Sequence, residues 1–565
     1  MARRAGGAAA SGGGALSRAV EPLYTLPTGL TYTGTATDTI TGSVYSAANS
    51  VPTFSGTTRT VTDQGSIAAN SAALQAEMDA ADDGDDIVLT AGVDYGSVTL
   101  PARAGSSFIR IRSASFASLP AFGSRVNPTS HASLMPKISA QVNSGKAMDM
   151  TAAAGGWWIT GVEFTQKNDI TTANIVYLGL DSGATTQSNW AEDVVFDRCI
   201  VRPPTGREAF AGIGIRFDVT GGAIIGCHIS GINTVGAENK CVLMVNTAGA
   251  VLLDNNYFTA AGVITMVGGA SPQVTGVIPS DIHYKRNWFY GVDQGSFKNC
   301  VEFKMGERIL VESNVMENNL ARGQAGYTDV LKTTNQGNGS GTFLKTKNVT
   351  MRQNWYLNSY AGASLAANPE NTTIAEGLNR VDYHQNVMVG DVETSGNNPN
   401  AAAFFCGSVN AATRTLQDIR ITQNTTVGEF KKALYFSGDD TLNLVVTKNV
   451  FQYGITDGGG FNGINGDGSQ SPSGTNQGEP LFGDYTGGTS SLSDNVFFFE
   501  STVSGPDRAA FPNNTLLEST TESAIVTDWD NADRGSSDFA IIHASASTHG
   551  APWDRMSTTL NAVRA

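Results

Sequence analysis

Glu302 and Lys304 stand two residues apart, so on a strand they leave the same face, and Arg308 follows closely. A carboxylate and an ammonium on one face are acid and base candidates, and Asp281 and Glu312 on adjoining segments complete five catalytic candidates. Elimination from an acidic glycan would use a cation to neutralise a uronate carboxylate and a Lys, Arg or His base. Glycoside hydrolysis would use two facing carboxylates ~5–9.5 Å apart. Asp382 and His384 also share a face as an acid–imidazole pair, and Trp288 and Trp355, with Tyr290, are candidate sugar-stacking platforms. Each has a structural alternative: charges on a strand face pair with their neighbours, and aromatics after a bend pack under loops.

The element that positions these residues is a recurring phrase: apolar, any, apolar, two polar, usually Asn, any, apolar. Ile282-His-Tyr-Lys-Arg-Asn287-Trp-Phe289, Ile309-Leu-Val-Glu-Ser-Asn314-Val-Met316 and Val349-Thr-Met-Arg-Gln-Asn354-Trp-Tyr356 are clear copies. The anchor falls at Val162, Cys199, Cys227, Asn256, Asn287, Asn314, Asn354, Asn386, Asn424, Asn449 and Asn495, with gaps of 25 to 46 residues. A fixed strand phrase with elastic spacing is the signature of a β-solenoid whose loops vary while each rung returns to register. Positions minus five, minus three and plus two from the anchor are apolar and point inward. The anchor amide stacks rung on rung, where a charge would be buried and unpaired. Two before the anchor, Asp254, Lys285, Glu312, Arg352 and His384 alternate in sign, which predicts a salt-bridge ladder on a solvated face. Function then belongs to the loops that leave the rod.

Composition agrees. The chain of 565 residues has 64 Gly and only 15% charged residues, which suits many short strands and turns. A net charge of -15 argues against a nucleic-acid binder, and no stretch approaches a membrane span. The five cysteines lack zinc spacing; Cys199 and Cys227 take the anchor position as small buried residues, with a disulfide between them as the alternative. The Gly/Ser/Asn run 457–478 reads as a loop; Asn465 and Asp467 lack the remaining ligands of a calcium site, so no metal is assigned and no cofactor is named.

Along the chain, 1–24 is a Gly/Ala-rich arm without the apolar core of a signal peptide, and 25–65 a small β-rich adaptor. Residues 66–107 hold a capping helix, predicted over 71–81 with Asn70 or Ser71 as N-cap, and the first strands. The solenoid spans 108–515, and 516–565 are a C-terminal strand and cap.

Ala73-Leu-Gln-Ala-Glu-Met-Asp-Ala-Ala-Asp-Asp-Gly-Asp-Asp-Ile-Val-Leu89 resembles the opening of pectate-lyase-like right-handed parallel β-helix proteins, where a cap helix runs into the first strand. The segments around Asp254-Asn-Asn-Tyr-Phe258, Val277-Ile-Pro-Ser-Asp-Ile282, Arg286-Asn-Trp-Phe289, Glu302-Phe-Lys304 and Arg308-Ile-Leu-Val-Glu-Ser-Asn314 are similar to uncharacterised parallel β-helix repeat proteins of that superfamily. The resemblance covers roughly 66–550. It implies an all-β, single-stranded right-handed parallel β-helix of about eleven rungs. Family copies often carry an acid where this chain has Thr259, which leaves that position without one, and the pectate lyase active-site pattern is not reproduced residue by residue. The superfamily includes lyases, hydrolases, phage tailspikes and adhesins. Two functional expectations follow. One is a bacteriophage virion component, tailspike- or fibre-like and extracellular on the particle, a homotrimer joined to other virion proteins by its arm and presenting loops to host polysaccharide. The other is a free-standing polysaccharide lyase or hydrolase.

Overall fold

The computed structural model describes residues 51–518, except 104–106, 180–185, 234–237, 261, 271, 293–296, 320–325, 335–342, 368–376, 391–400, 409–415, 429, 431, 439, 453–463, 467–478 and 500–511, together with 550, 551 and 563. The arm 1–24, most of the 25–65 segment, Asp467 and nearly all of 519–565 lie outside the described residues.

Each phrase folds as its pattern dictates. Ile282, Tyr284 and Phe289 enter one continuous core, joined by Ile309, Val311 and Met316 and by Val349, Met351 and Tyr356. The residue before each anchor turns the chain in the left-handed region, with φ of 55° at Arg286, 57° at Ser313, 56° at Gln353 and 59° at Gln385. That conformation costs a non-glycine residue about 1–2 kcal/mol, and the anchor that follows offsets it. The Asn287 amide accepts from the Asn256 main-chain N–H (3.0 Å) and Nδ2 (2.9 Å), and its own Nδ2 donates to the Leu253 carbonyl (2.8 Å) and to Asn314 Oδ1 (3.0 Å). The same pattern links Asn314, Asn354, Asn386, Asn424, Asn449 and Asn495 upward and ends on Asn514, one copy beyond the phrases recognised in the sequence. Downward it passes to Cys227, whose N–H donates to Asn256 Oδ1 (2.8 Å) and whose sulfur accepts from the Cys199 N–H (3.3 Å). All five cysteines are free and buried.

One turn of the coil is Ser280–Lys285, Trp288–Tyr290 and Asn299–Phe303, after which Gly306–Glu312 begins the next. Successive turns pair in parallel, as in Ile282 to Ile309 to Val349 to Val381 to Ile419. Three sheets of 16, 13 and 12 strands result, carrying the phrase strands, the post-bend strands and a third wall respectively. This is a parallel β-helix, and at ~4.8 Å per level the 13-stranded wall spans about 60 Å. It exceeds eleven rungs because Lys137–Ala140 lies beneath the first phrase and Thr515–Glu518 above the last. Thr58–Val61, from the 25–65 segment, is the first strand of the phrase sheet, paired with Asp86–Leu89.

The helix begins earlier than predicted, running Ile67–Asp79 with Ser66 as N-cap; Asn70 is instead a buried strut that bonds Gln64, Asp63 and Asp94. Leu74 and Met78 close the core. Gln75 reaches the edge strand Val98–Leu100, where its amide accepts from Thr99 N–H and donates to Thr99 O, both at 2.9 Å. A side chain thus satisfies edge groups that would otherwise invite a foreign strand.

One inward position is charged. Asp329 pairs in register between Val301 and Ala363, points into the coil and accepts from the Tyr356 hydroxyl at 2.5 Å. Burial pushes its carboxyl up to about 7, against the lowering effect of hydrogen bonds from Tyr356 and Tyr383.

Two outcomes follow. Asn354→Ala strands the Asn314 N–H and amide and the Val311 carbonyl, and with ~1–3 kcal/mol for each orphaned buried group it should lower the denaturation midpoint far more than an exposed Asn substitution. Folded Asp329 keeps its proton up to about pH 7 while the unfolded chain loses it near 3.8, so this group makes stability fall as pH rises through that window. In thermal melts, Asp329→Asn should remove that fall; superimposable pH profiles would refute it.

Candidate functional site

The five catalytic candidates divide into three ion-pair groups. Glu302 and Lys304 lie on the outer face of the third wall, at and just past the end of Asn299–Phe303. Glu302 is fully buried, and its Oε1 faces three ammonium groups: Lys298 and Lys304 at 3.6 Å and Lys332 at 3.5 Å. Neither of its oxygens accepts a hydrogen bond. Lys304 and Lys332 extend the paired strands ending Phe303 and Leu331, so they stack one level apart. Below them Glu238 holds Lys298 at 3.1 Å and Lys240 at 3.9 Å. Burial lowers the Lys304 and Lys240 ammonium pKa values. At Lys298 burial acts the same way, but Glu302 and Glu238 outweigh it and raise the value. Four lysines against two carboxylates leave this patch positive on a chain with 36 basic and 51 acidic residues.

Asp281 and Arg308 occupy the start of successive phrase strands, the position six before the anchor, both left-handed at φ 59° and 54°. They form a bidentate pair at 2.6 Å, and Arg308 also contacts Glu307 at 2.6 Å, with Lys345 on the far side of Glu307. Those bonds, chiefly to Asp281, raise the Arg308 pKa. The pair joins one rung to the next at a partly exposed corner.

Glu312 lies on the outer face of the phrase sheet. The row two before the anchor is in register as the sequence predicts: Asp254, Lys285, Glu312, Arg352, His384. It is not solvated, however, since Asp254, Glu312 and His384 are buried. Glu312 is held by His283 Nε2 (2.9 Å), Arg352 (2.6 Å) and Lys285 (3.5 Å). Burial opposes its ionisation, but these three partners, the His283 hydrogen bond first, together pull its pKa well below the usual carboxylate range. Asp254 turns to Arg286 at 2.5 Å. Asp382 and His384 meet at 3.2 Å, both buried.

The aromatic candidates separate. Trp355 has no exposed surface and belongs to one buried apolar cluster with Val315, Leu357, Val387, Ala551 and Val563, so it offers no sugar platform. Trp288 is half-buried, its indole donating to Glu317 at 3.0 Å and its ring edge-on to Tyr257 at 5.2 Å.

Sequence reading missed His283, Lys298, Lys332, Lys240 and Glu238. His283 was findable, because it sits four before its anchor as Asp382 does. The lysines were not, since the third wall carries no phrase to set its register.

No protein-family model and no curated protein matches the chain. Among solved structures it is similar to the PL6 family alginate lyase AlyGC (12% identity, 87% of this chain and 56% of that one, TM-score 0.42). It is also similar to the catalytic unit of a GH87 α-1,3-glucanase from Streptomyces thermodiastaticus (12%, 78% and 70%, 0.43). A third similarity is to the tailspike gp49 of Acinetobacter baumannii bacteriophage Fri1, a capsular polysaccharide depolymerase (10%, 80% and 59%, 0.29). The chain spans little more than half the length of the alginate lyase.

The Glu312 and Asp281 groups should respond differently to substitution. Glu312→Gln leaves buried cations without their counter-charge and should cost ~3–5 kcal/mol. Asp281→Asn keeps a residue suited to the left-handed corner and should cost ~1 kcal/mol or less. Denaturant titration of both variants checks the ranking.

Proposed function

We propose that this β-helix is a polysaccharide-binding protein that takes an acidic glycan along the outer face of the third wall, at the lysines around Glu302. The observation that carries the reading is the convergence itself: Lys298, Lys304 and Lys332 meet one oxygen of a buried carboxylate, and Lys240 stands below. A positive site on an acidic body focuses field and draws anions while the surroundings repel them. Lys298 and Lys332, at 20% and 16% exposure, are the groups a polymer would touch, whereas Lys304 at 1% is support for them.

Cleavage of the glycan is a second reading. It is favoured by the burial-lowered pKa of Lys304, which brings a lysine closer to use as a base. Display of this rod on a virion, as a homotrimeric tailspike-like protein, belongs to the same proposal.

In Lys298→Ala/Lys332→Ala, affinity for a soluble polyuronate should fall at least tenfold, with a shallower salt dependence than the parent. Unchanged affinity would overturn the lysine site. Absorbance of unsaturated uronate on a glycan that binds decides between cleavage and adhesion, and the light-scattering mass decides the trimer.

A further inference from the structure

The corner six before the anchor is filled on most rungs by a side chain in the left-handed region. Asp193, Asp281, Arg308, Asn348 and Asn443 have φ of 52°, 59°, 54°, 54° and 55°, and neighbours bond up the stack, as Asn443 does to Asp418 at 2.8 Å. Gly156 and Gly221 are the two glycines at this corner, and Ala250 and Thr489 do not take the left-handed conformation. At Gly156, φ 67°, the corner has no side chain, and a cavity of about 290 Å³ opens there beneath Asp193.

Its walls have a consistent chemistry. Trp190 is only 4% exposed, yet its indole N–H has no partner, while Phe108 adds a second aromatic surface. Glu192 and Asp193 add two acidic residues to the lining. Arg103 is fixed across the opening: it donates to the Gly156 and Gly155 carbonyls at 3.0 and 3.3 Å and pairs with Asp83. Buried donors are normally satisfied, and leaving one open costs ~1–3 kcal/mol. The glycine keeps the space clear, because a Cβ at Gly156 would lie 3.0 Å from the Ser107 carbonyl and 3.1 Å from Arg103 Nη1.

We infer that this cavity is a subsite for one neutral sugar ring, separate from the lysine face. The ring's C–H face would lie against the aromatic groups, its hydroxyls would donate to Glu192 and Asp193, and one oxygen would accept from the Trp190 indole. The volume sits near the lower bound of small-molecule sites, about 300–1,000 Å³, which suits a single ring rather than a chain. Two carboxylates beside an arginine already paired to Asp83 disfavour a uronate here, the reverse of the lysine patch.

The test uses the full chain labelled with 5-fluorotryptophan, its Trp190 signal assigned by loss in Trp190→Phe. Titration with methyl glucoside, methyl galactoside and N-acetylglucosamine should move that signal saturably for at least one sugar, and methyl glucuronide should not move it. Gly156→Asn restores the side chain that other corners carry, and it should abolish the shift while polyuronate binding stays unchanged. Trp190→Phe should weaken binding of the same sugar about tenfold, read by calorimetry. No shift with any neutral sugar overturns the subsite, and so does a shift that persists in Gly156→Asn. If that variant fails to fold, an unchanged affinity in Trp190→Phe overturns it.

Discussion

The constraint on which this molecule depends is the satisfaction of main-chain groups at a buried bend. Each rung leaves the phrase sheet through a left-handed residue, and the main chain there cannot complete the strand ladder. From Asn287 upward one asparagine per rung resolves this: its oxygen accepts twice from the rung below, and its nitrogen donates once downward and once upward. All its amide valences are used, which is why the residue type repeats although the loops do not. The ladder also sets register, since a phrase displaced by one residue would put a charged side chain where the amide must be.

The repeat was legible for a physical reason. Inward apolar positions and the buried amide tolerate few alternatives, so Ile282, Tyr284, Asn287 and Phe289 reappear in kind at Val349, Met351, Asn354 and Tyr356. The outward row from Asp254 to His384 was legible too, because it rides at a fixed offset from the same anchors. What could not be read was what covers that row. Solvation of an outward residue depends on what packs over the sheet from elsewhere in the chain, which has no periodic signal. Trp355 shows the consequence: its offset marks it as outward, yet it is buried in a cluster that includes Ala551 and Val563.

The third wall was legible only as strands. Loops of unequal length separate its strands from the anchors on both sides, so Lys298 and Lys332 occupy unrelated places in the sequence and adjacent ones in space. The Glu302–Lys304 pair was visible as two residues on one strand, but the lysines that make the patch positive were not. The left-handed corner six before the anchor was hidden for another reason: Asp, Asn and Arg all occupy it, so it has a shared backbone conformation without a shared side chain.

Stacking makes ion pairs almost unavoidable in such a coil, because every outward charge sits ~4.8 Å from the residue above and below it. A charge on this surface therefore means little until its row is balanced. Glu312 bonds His283 and Arg352 at 2.9 and 2.6 Å with Lys285 at 3.5 Å, Asp281 bonds Arg308 at 2.6 Å, and both groups join rung to rung through these short contacts. The lysines around Glu302 differ in geometry: they meet the carboxylate they share only at 3.5 to 3.6 Å. A pairing that loose holds rungs together poorly. It leaves Lys298 and Lys332, the partly exposed members, able to exchange this contact for one with an incoming anion, and that is the property by which a binding surface is distinguished from a scaffold built of the same residues.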